Sequence, residues 1–400
     1  MDKRRRIPIF LAATAMFWAS LYTYVPILSP YAQDMGASLG MVGLIVAAYG
    51  LSQLLLRVPT GIVSDRRGRR RPFIIIGHLA AIVAAAGMAV ARSPGQLLIC
   101  RGMAGVAATT WVAFTVLFPA YFAPDETARA MSILLFCNQS AQLSATYLGG
   151  WSAELWGWKA PFVAAVILGL IGLGLSFLIQ EVPLRREQTL SLGELLQVGK
   201  SPQLLVVSLL AALIQYVVFV TVYGFTPTYA AAIGASKAQL GMLTLVSSIP
   251  SALAALLGGT WLARHLGERR VVVGGFCLAG VTTLAIPFIE SVAVLSVTQA
   301  IGGIGRGAIF PVLMGMSIRT IPTEKRATAM GFFQSIYALG MTGGPAVSGF
   351  LGNLLGLRGI FMSAGIVGLA SAVLAMFMLK SRVGLPKPAR ARDPVLELRR

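Results

Sequence analysis

Three arginines, Arg57, Arg101 and Arg306, fall inside long apolar runs of the chain. A guanidinium in such a run needs water, a carboxylate or backbone carbonyls around it, and residues so placed usually serve function. Arg306 lies near the middle of its run, within Gly302-Gly303-Ile304-Gly305-Arg306-Gly307, where reaching the interface is hardest. It is expected either to serve a functional role or to form a structural ion pair or a carbonyl-capped site between helices. Arg101 lies nearer one end of its run, so a coupling or anion-attracting role competes with snorkelling to the interface. A proton carrier would ordinarily be an Asp or Glu deep in a run, and none is found there. Asp34, at the end of the first run, reads as a loop residue or as a water-accessible coupling group. Glu154 and Glu290 read as connector residues. His78 could titrate near neutral pH, or simply hydrogen-bond at a helix interface.

Other chemistries find no constellation. Cys100, Cys137 and Cys277 have no metal-ligand spacing and read as small buried hydrophobes. There is no Walker-type phosphate loop, no paired carboxylates and no nucleophile–base arrangement. The chain is expected to be no enzyme and to need neither cofactor nor metal.

The elements that carry these residues follow from composition. Of 400 residues, 56% are hydrophobic and only 12% are charged, against about 25% charged in a soluble domain. Too little polar surface remains for water, so the solvent is lipid. A spanning helix needs about 20 apolar residues, and that criterion predicts twelve segments, near 7–31, 39–61, 73–91, 96–121, 131–153, 160–179, 204–229, 238–263, 271–289, 292–316, 329–352 and 359–379. The runs are too long for barrel strands and lack alternation. The first is too long for the apolar core of a cleaved signal peptide and is taken as a span. The predicted fold is an all-α membrane protein of twelve transmembrane helices in two six-helix bundles. Residues 1–180 form the first, a polar linker covers 181–203, the second bundle covers 204–380, and 381–400 is a tail.

Net charge is +19, which invites a nucleic-acid reading. The distribution opposes it. Most Lys and Arg lie in alternate connectors and the tails, while only Arg92, Lys159, Lys237 and Arg358 lie in the others. That asymmetry follows the positive-inside rule. It predicts a multi-pass protein of the cell membrane with both termini cytoplasmic, its basic connectors placed to touch anionic lipid.

The two halves repeat. Tyr31 recurs as Tyr229, Gly36 as Gly234, Gly43 as Gly241, Gly61 as Gly259 and Gly105 as Gly303, each 198 positions on. Gly68 recurs as Gly267, Gly150 as Gly349, Gly157 as Gly356 and Phe162 as Phe361, each 199 on. Coincident glycines are common in a chain with 44 of them; a constant offset across whole halves is not. Equivalents six spans apart share their topology, which relates the halves by an axis along the membrane normal.

After the second segment comes Gly61-Ile62-Val63-Ser64-Asp65-Arg66-Arg67-Gly68-Arg69-Arg70. This resembles the signature loop G-x-x-x-D-R-x-G-R-[RK] of the major facilitator superfamily, matching every fixed position. The second-half copy keeps Gly259 but lacks the acid. The resemblance covers about residues 7 to 380, and implies a transporter of the drug:proton antiporter kind. Asp65 would sit unfavourably at the end of its own helix, so it needs an outside partner. The resemblance implies the start of helix 11, near Ala329. With Arg66, Arg69, Arg70 and Arg129, which lies beside Asp125-Glu126, it would latch one of two conformations; alternatively the arginines only hold the loop in the cytoplasm.

Arg101-Gly102-Met103-Ala104-Gly105 resembles the family's helix-4 motif R-x-x-Q-G, with Ala104 replacing Gln. In helix 5 the family's antiporters carry Gly-Pro-x-x-Gly-Gly; here only Gly149-Gly150 survive, which weakens an export assignment. Helix 11 keeps Gly344-Pro345 and Gly349, giving close packing and a possible hinge. The family's cavity is lined by helices 1, 4, 7 and 10, which carry Trp18, Tyr22, Tyr24, Gln215, Tyr216, Tyr223, Gln299 and Arg306 here. Asn138, Gln139 and Gln142 of helix 5, and Gln334 and Tyr337 of helix 11, are further polar candidates. Such a surface suits amphipathic organic molecules.

The expected function is secondary active transport of small organic or lipophilic compounds by alternating access, as proton-linked efflux. One alternative is uptake or exchange of an organic anion through Arg101 and Arg306. Another is a transport-inactive sensor or lipid-binding protein on the same fold. The expected partners are a small-molecule substrate, a proton or other coupling ion, and the lipid bilayer, with no nucleic acid, acting as a monomer.

Overall fold

In a computed structural model the chain is described at residues 3–123, 126–182, 201–319, 321 and 326–379. The described residues are helical and contain no strand. We number the spans α1 to α12. In the first half α1 comprises Lys3–Tyr22 and Val25–Asp34, α2 is Leu39–Arg67, α3 is Arg71–Val90, α4 comprises Pro94–Thr109 and Trp111–Leu117, α5 is Thr127–Trp156 and α6 is Ala160–Ser176.

In the second half α7 runs Pro202–Val220, turns through Thr221–Phe225 and resumes at Thr226–Ala232. Lys237–Leu257 is α8, Glu268–Ala285 is α9 and Val292–Arg319 is α10. The last stretch, Arg326–Met378, is broken at Gly356, whose backbone is non-helical at φ 68°, and this divides it into α11 (326–355) and α12 (357–378). The twelve segments read from the sequence each find a helix. The expected interruption between the last two falls at Gly356. The 181–203 linker lies outside the described residues except at its ends, and the 381–400 tail lies outside them entirely.

Glycines with positive φ, a region that favours them because a Cβ clashes there, reveal the duplication. Among the described residues they are Gly36, Gly68, Gly157, Gly234, Gly267 and Gly356. These are three pairs at the repeat offset: Gly36 with Gly234, Gly68 with Gly267, and Gly157 with Gly356. The break in α1 at Thr23 and the wide turn of α7 that opens at Thr221 are likewise 198 apart. At the α1 break Pro26 supplies no backbone donor, and Thr23 Oγ1 turns back to donate to the Ala19 carbonyl at 2.5 Å. Helix starts are fixed locally: α8 opens on a capping box in which Gln239 N donates to Ser236 Oγ at 3.3 Å and Ser236 N donates to Gln239 Oε1 at 2.9 Å, satisfying donors the helix itself leaves open.

Side-chain packing divides unevenly between the halves. One apolar core, built on Phe10, Phe17, Phe114 and Phe162, fills the first half and continues into Phe219, Phe225 and Phe361 of the second. A separate core, with Phe276, Leu313 and Phe333, belongs to the second half alone. The cysteines depart from their expected burial: Cys100 and Cys137 are half-buried, and Cys277 departs furthest. It is exposed, on an outward face of α9, where a thiol is apolar enough to face lipid.

Candidate functional site

The halves meet along two crossings, α2 with α11 and α5 with α8. Both are made by glycines that the repeat had singled out. A Cβ on Gly43 would lie 2.2 Å from the Pro345 carbonyl oxygen and 2.9 Å from Gly349 Cα. At the other crossing, a Cβ on Gly150 would lie 2.7 Å from the Lys237 carbonyl and 2.8 Å from Gly241 Cα. Backbone therefore rests on backbone, as small residues permit between membrane helices. Side chains close the same end. Gly40 N donates to Asn353 Oδ1 at 2.9 Å, Ala238 N donates to Glu154 Oε2 at 3.3 Å, and the Lys237 ammonium stands 4.5 Å from the Trp158 ring centre. Glu154, expected to be a plain connector residue, thus ties the two halves.

Toward the basic end, which carries Arg66 to Arg71, α2 and α11 part. Gly50 still touches Met341 and Thr342. Two turns further on, Arg57 spans the gap with its side chain: Nη1 donates to Tyr337 Oη at 3.2 Å and Gln334 Oε1 at 3.4 Å, and Nη2 to Gln53 Oε1 at 3.1 Å. Beyond it a cavity of about 340 Å³ opens, lined by Arg57, Val58 and Gly61 of α2, Val112 of α4, and Met330 and Gln334 of α11. Arg57 is the residue whose role the sequence did not yield. Its position inside an apolar run was the available signal, but nothing in the run announces a partner 277 positions away.

Arg101 is 4% exposed, buried among its neighbours. Its guanidinium lies 4.2 Å from the Tyr49 ring centre and 5.7 Å from that of Tyr24, an arrangement in which ring faces stabilise the cation. Its Nε and Nη1 find no acceptor. Beside it Tyr22 meets Tyr223 across the halves, ring centres 6.2 Å apart. Arg306, 5% exposed, is held within its own half: Nη2 donates to Ser247 Oγ at 2.8 Å, the Gln299 carbonyl at 3.2 Å and Gln299 Oε1 at 3.3 Å. Of its two expected settings, this is the carbonyl-capped one between helices. A crevice of about 10 Å³ is lined by its partners Ser247 and Gln299.

The remaining candidates scatter. Asp34 is exposed at the sealed end, Gln139 is exposed on α5, and Gln215 is half-buried on α7. Gln142 donates to Asn138 within α5, and Tyr216 Oη pairs with Ser348 Oγ at 2.8 Å between α7 and α11. His78 is buried with Nδ1 2.9 Å from the Ile74 carbonyl and Nε2 3.3 Å from that of Ala13. Gly149 lets α5 lie against the α1 break, where a Cβ would come within 1.7 Å of the Thr23 carbonyl, and Gly344 meets Tyr216 of α7.

The signature loop is pinned to its own half. Gly68 turns the chain at φ 62°. The N–H groups of Arg70 and Arg71 donate to Glu181 Oε1 and Oε2 at 2.7 and 2.8 Å, so a carboxylate caps the positive end of α3. Arg70 also donates to Ser64 Oγ, and Arg71 to the Phe177 carbonyl. Glu181 had not been expected to take part. Arg66 and Arg69 are exposed, and Arg129 pairs with Glu126 one turn away at 3.2 Å while 73% exposed. The side chain of Asp65 and all of Asp125 lie outside the described residues.

Two duplicated six-helix bundles, closed at one end and parted around a cavity at the other, define a membrane transporter of the two-bundle class. The family model described as Major Facilitator Superfamily matches residues 10–232 and 208–399, and the chain belongs to that family. It is 22% identical over 374 residues, 89% of this chain and 93% of the relative, to an uncharacterized MFS-type transporter, MJ1560, of Methanocaldococcus jannaschii. It is 25% identical to the quinolone resistance protein NorA of Staphylococcus aureus over 38% of this chain and 39% of that one. Among solved structures it resembles a bacterial homolog of the human lysosomal transporter Spinster, in an inward-facing and occupied conformation. The TM-score is 0.76 at 16% identity, covering 93% of this chain and 96% of that one.

Proposed function

We propose that this chain is a secondary transporter that exports small amphipathic or lipophilic organic compounds by alternating access, in exchange for protons. One observation carries the reading: the halves touch through backbone at one end and separate around a largely apolar cavity at the other. Such a joint rocks as two rigid bodies, exposing a central site to each side in turn. The positive-inside asymmetry puts the basic end in the cytoplasm, which makes this conformation the inward-facing one. The partial likeness to a quinolone resistance protein supports export of organic compounds.

Proteoliposomes with an imposed pH gradient test it. Extrusion of a lipophilic fluorophore that follows the gradient, and stops when a protonophore collapses it, is the expected result; extrusion indifferent to the gradient refutes proton exchange. A second reading, exchange or uptake of an organic anion through Arg101 and Arg306, is favoured by the unfilled donors of Arg101. Counterflow of an anion without a pH gradient would establish it.

A further inference from the structure

We infer that Arg57 and its neighbours form a second recognition point, which takes the negative head of an amphipathic organic anion. This rests on the reading of the cavity between α2 and α11 as the substrate path. A guanidinium has five N–H donors. Arg57 commits Nη1 to Gln334 and Tyr337 and one hydrogen of Nη2 to Gln53. Nε is left without an acceptor. That leaves the Nε hydrogen and one Nη2 hydrogen uncommitted, the donors with which a guanidinium holds a carboxylate. All three partners are neutral oxygens, so they orient the cation without cancelling its charge.

The surroundings select the class of ligand. Among the described residues no carboxylate lines the cavity. Past the guanidinium the walls are apolar, with Val58, Ile62, Val112 and Met330. A volume of about 340 Å³ suits a small organic molecule. One negative charge on a compact apolar body fits both parts. The cation also faces a gap between halves, unlike Arg306, whose Nη2 is taken up inside one half.

The test compares three ligands with one body and different heads: 4-phenylbutyrate, 4-phenylbutan-1-ol and 4-phenylbutylamine. Each is titrated calorimetrically into the full chain in phosphatidylcholine nanodiscs at neutral pH, without a gradient. The acid is expected to bind about 10-fold or more tightly than the alcohol, as a charge-assisted pair would give, and the amine more weakly than either. Arg57→Gln should remove the preference for the acid and leave alcohol binding within about 3-fold. Arg57→Lys should keep the preference at lower affinity, and both variants are checked for unchanged helicity. Arg101→Gln should preserve the preference.

Equal binding of acid and alcohol, no binding of the acid, or a preference that survives Arg57→Gln overturns the site. A preference lost only in Arg101→Gln also overturns it. Repeating the titration with phosphatidylglycerol in the disc separates two sources of the same chemistry. A lipid headgroup would compete and weaken acid binding in the unmodified chain but not in Arg57→Gln, whereas a soluble anion's site would be unaffected. Extrusion in proteoliposomes remains an independent readout. Binding without any transport removes the transport reading and leaves the site; transport without the acid preference does the reverse.

Discussion

Replacing Gly43 with alanine adds a single carbon, and the structure says where it must go. That Cβ falls 2.2 Å from the Pro345 carbonyl oxygen and 2.9 Å from Gly349 Cα. Backbone atoms cannot rotate aside, so α2 and α11 must separate by about 1 Å, an overpacking that costs about 1–3 kcal/mol. The penalty applies only while the two helices touch. It leaves the conformation parted at that end unaffected, so the ratio of the two states shifts by about 5- to 150-fold. Spin labels at Ser38 and Leu354, both exposed at that end, would report it once Cys100, Cys137 and Cys277 are replaced. The expected outcome is growth of the longer-distance population in Gly43→Ala, with transport slowed. Gly274→Ala is the control, since nothing lies within 4 Å of its added carbon and alanine favours a helix. Identical distance distributions in Gly43→Ala and the unmodified chain would refute the reasoning.

Gly241→Ala repeats the perturbation at the other crossing, where the carbon would lie 2.8 Å from the Thr146 carbonyl; labels across α5 and α8 should show the same parting. Glu181→Ala uncaps α3 and should lower stability by about 0.5–2 kcal/mol, read as a lower melting temperature in detergent, with faster proteolysis of the 68–71 loop. Arg306→Met strands the Ser247 and Gln299 oxygens and should cost about 1–3 kcal/mol, so an unchanged melting temperature would contradict the hydrogen bonding described. Tyr216→Phe removes the hydroxyl shared with Ser348 and should cost about 0.6 kcal/mol, the typical worth of such a bond between membrane helices.

The glycine framework was readable from sequence because its constraint is severe. Where backbones touch or φ turns positive few residues serve, so Gly43, Gly150, Gly241 and Gly349 survive in both halves and betray the duplication. Composition and run length likewise suffice for spans, since the bilayer sets their length. Partnerships were not readable. Arg57 meets Gln334 and Tyr337 across the halves, Glu181 reaches back over a hundred positions to Arg70 and Arg71, and Gln299 folds onto Arg306. Each depends on which helix faces lie together, and in lipid both faces of a span are apolar. The polar residues assigned to one cavity therefore divide among the cavity, the packing between helices and the open surface. The break at Gly356 was legible twice, as the repeat of Gly157 and as the gap between the last two apolar segments.

A barrier built of main chain has no rotamers. Side-chain gates flicker on picosecond to nanosecond scales, while whole bundles move in microseconds to milliseconds. Where Gly43 rests on Gly349 and Gly150 on Gly241, no side chain can swing away to let an ion slip by. On the proposed cycle, leakage at that level must wait for the same slow motion of the bundles.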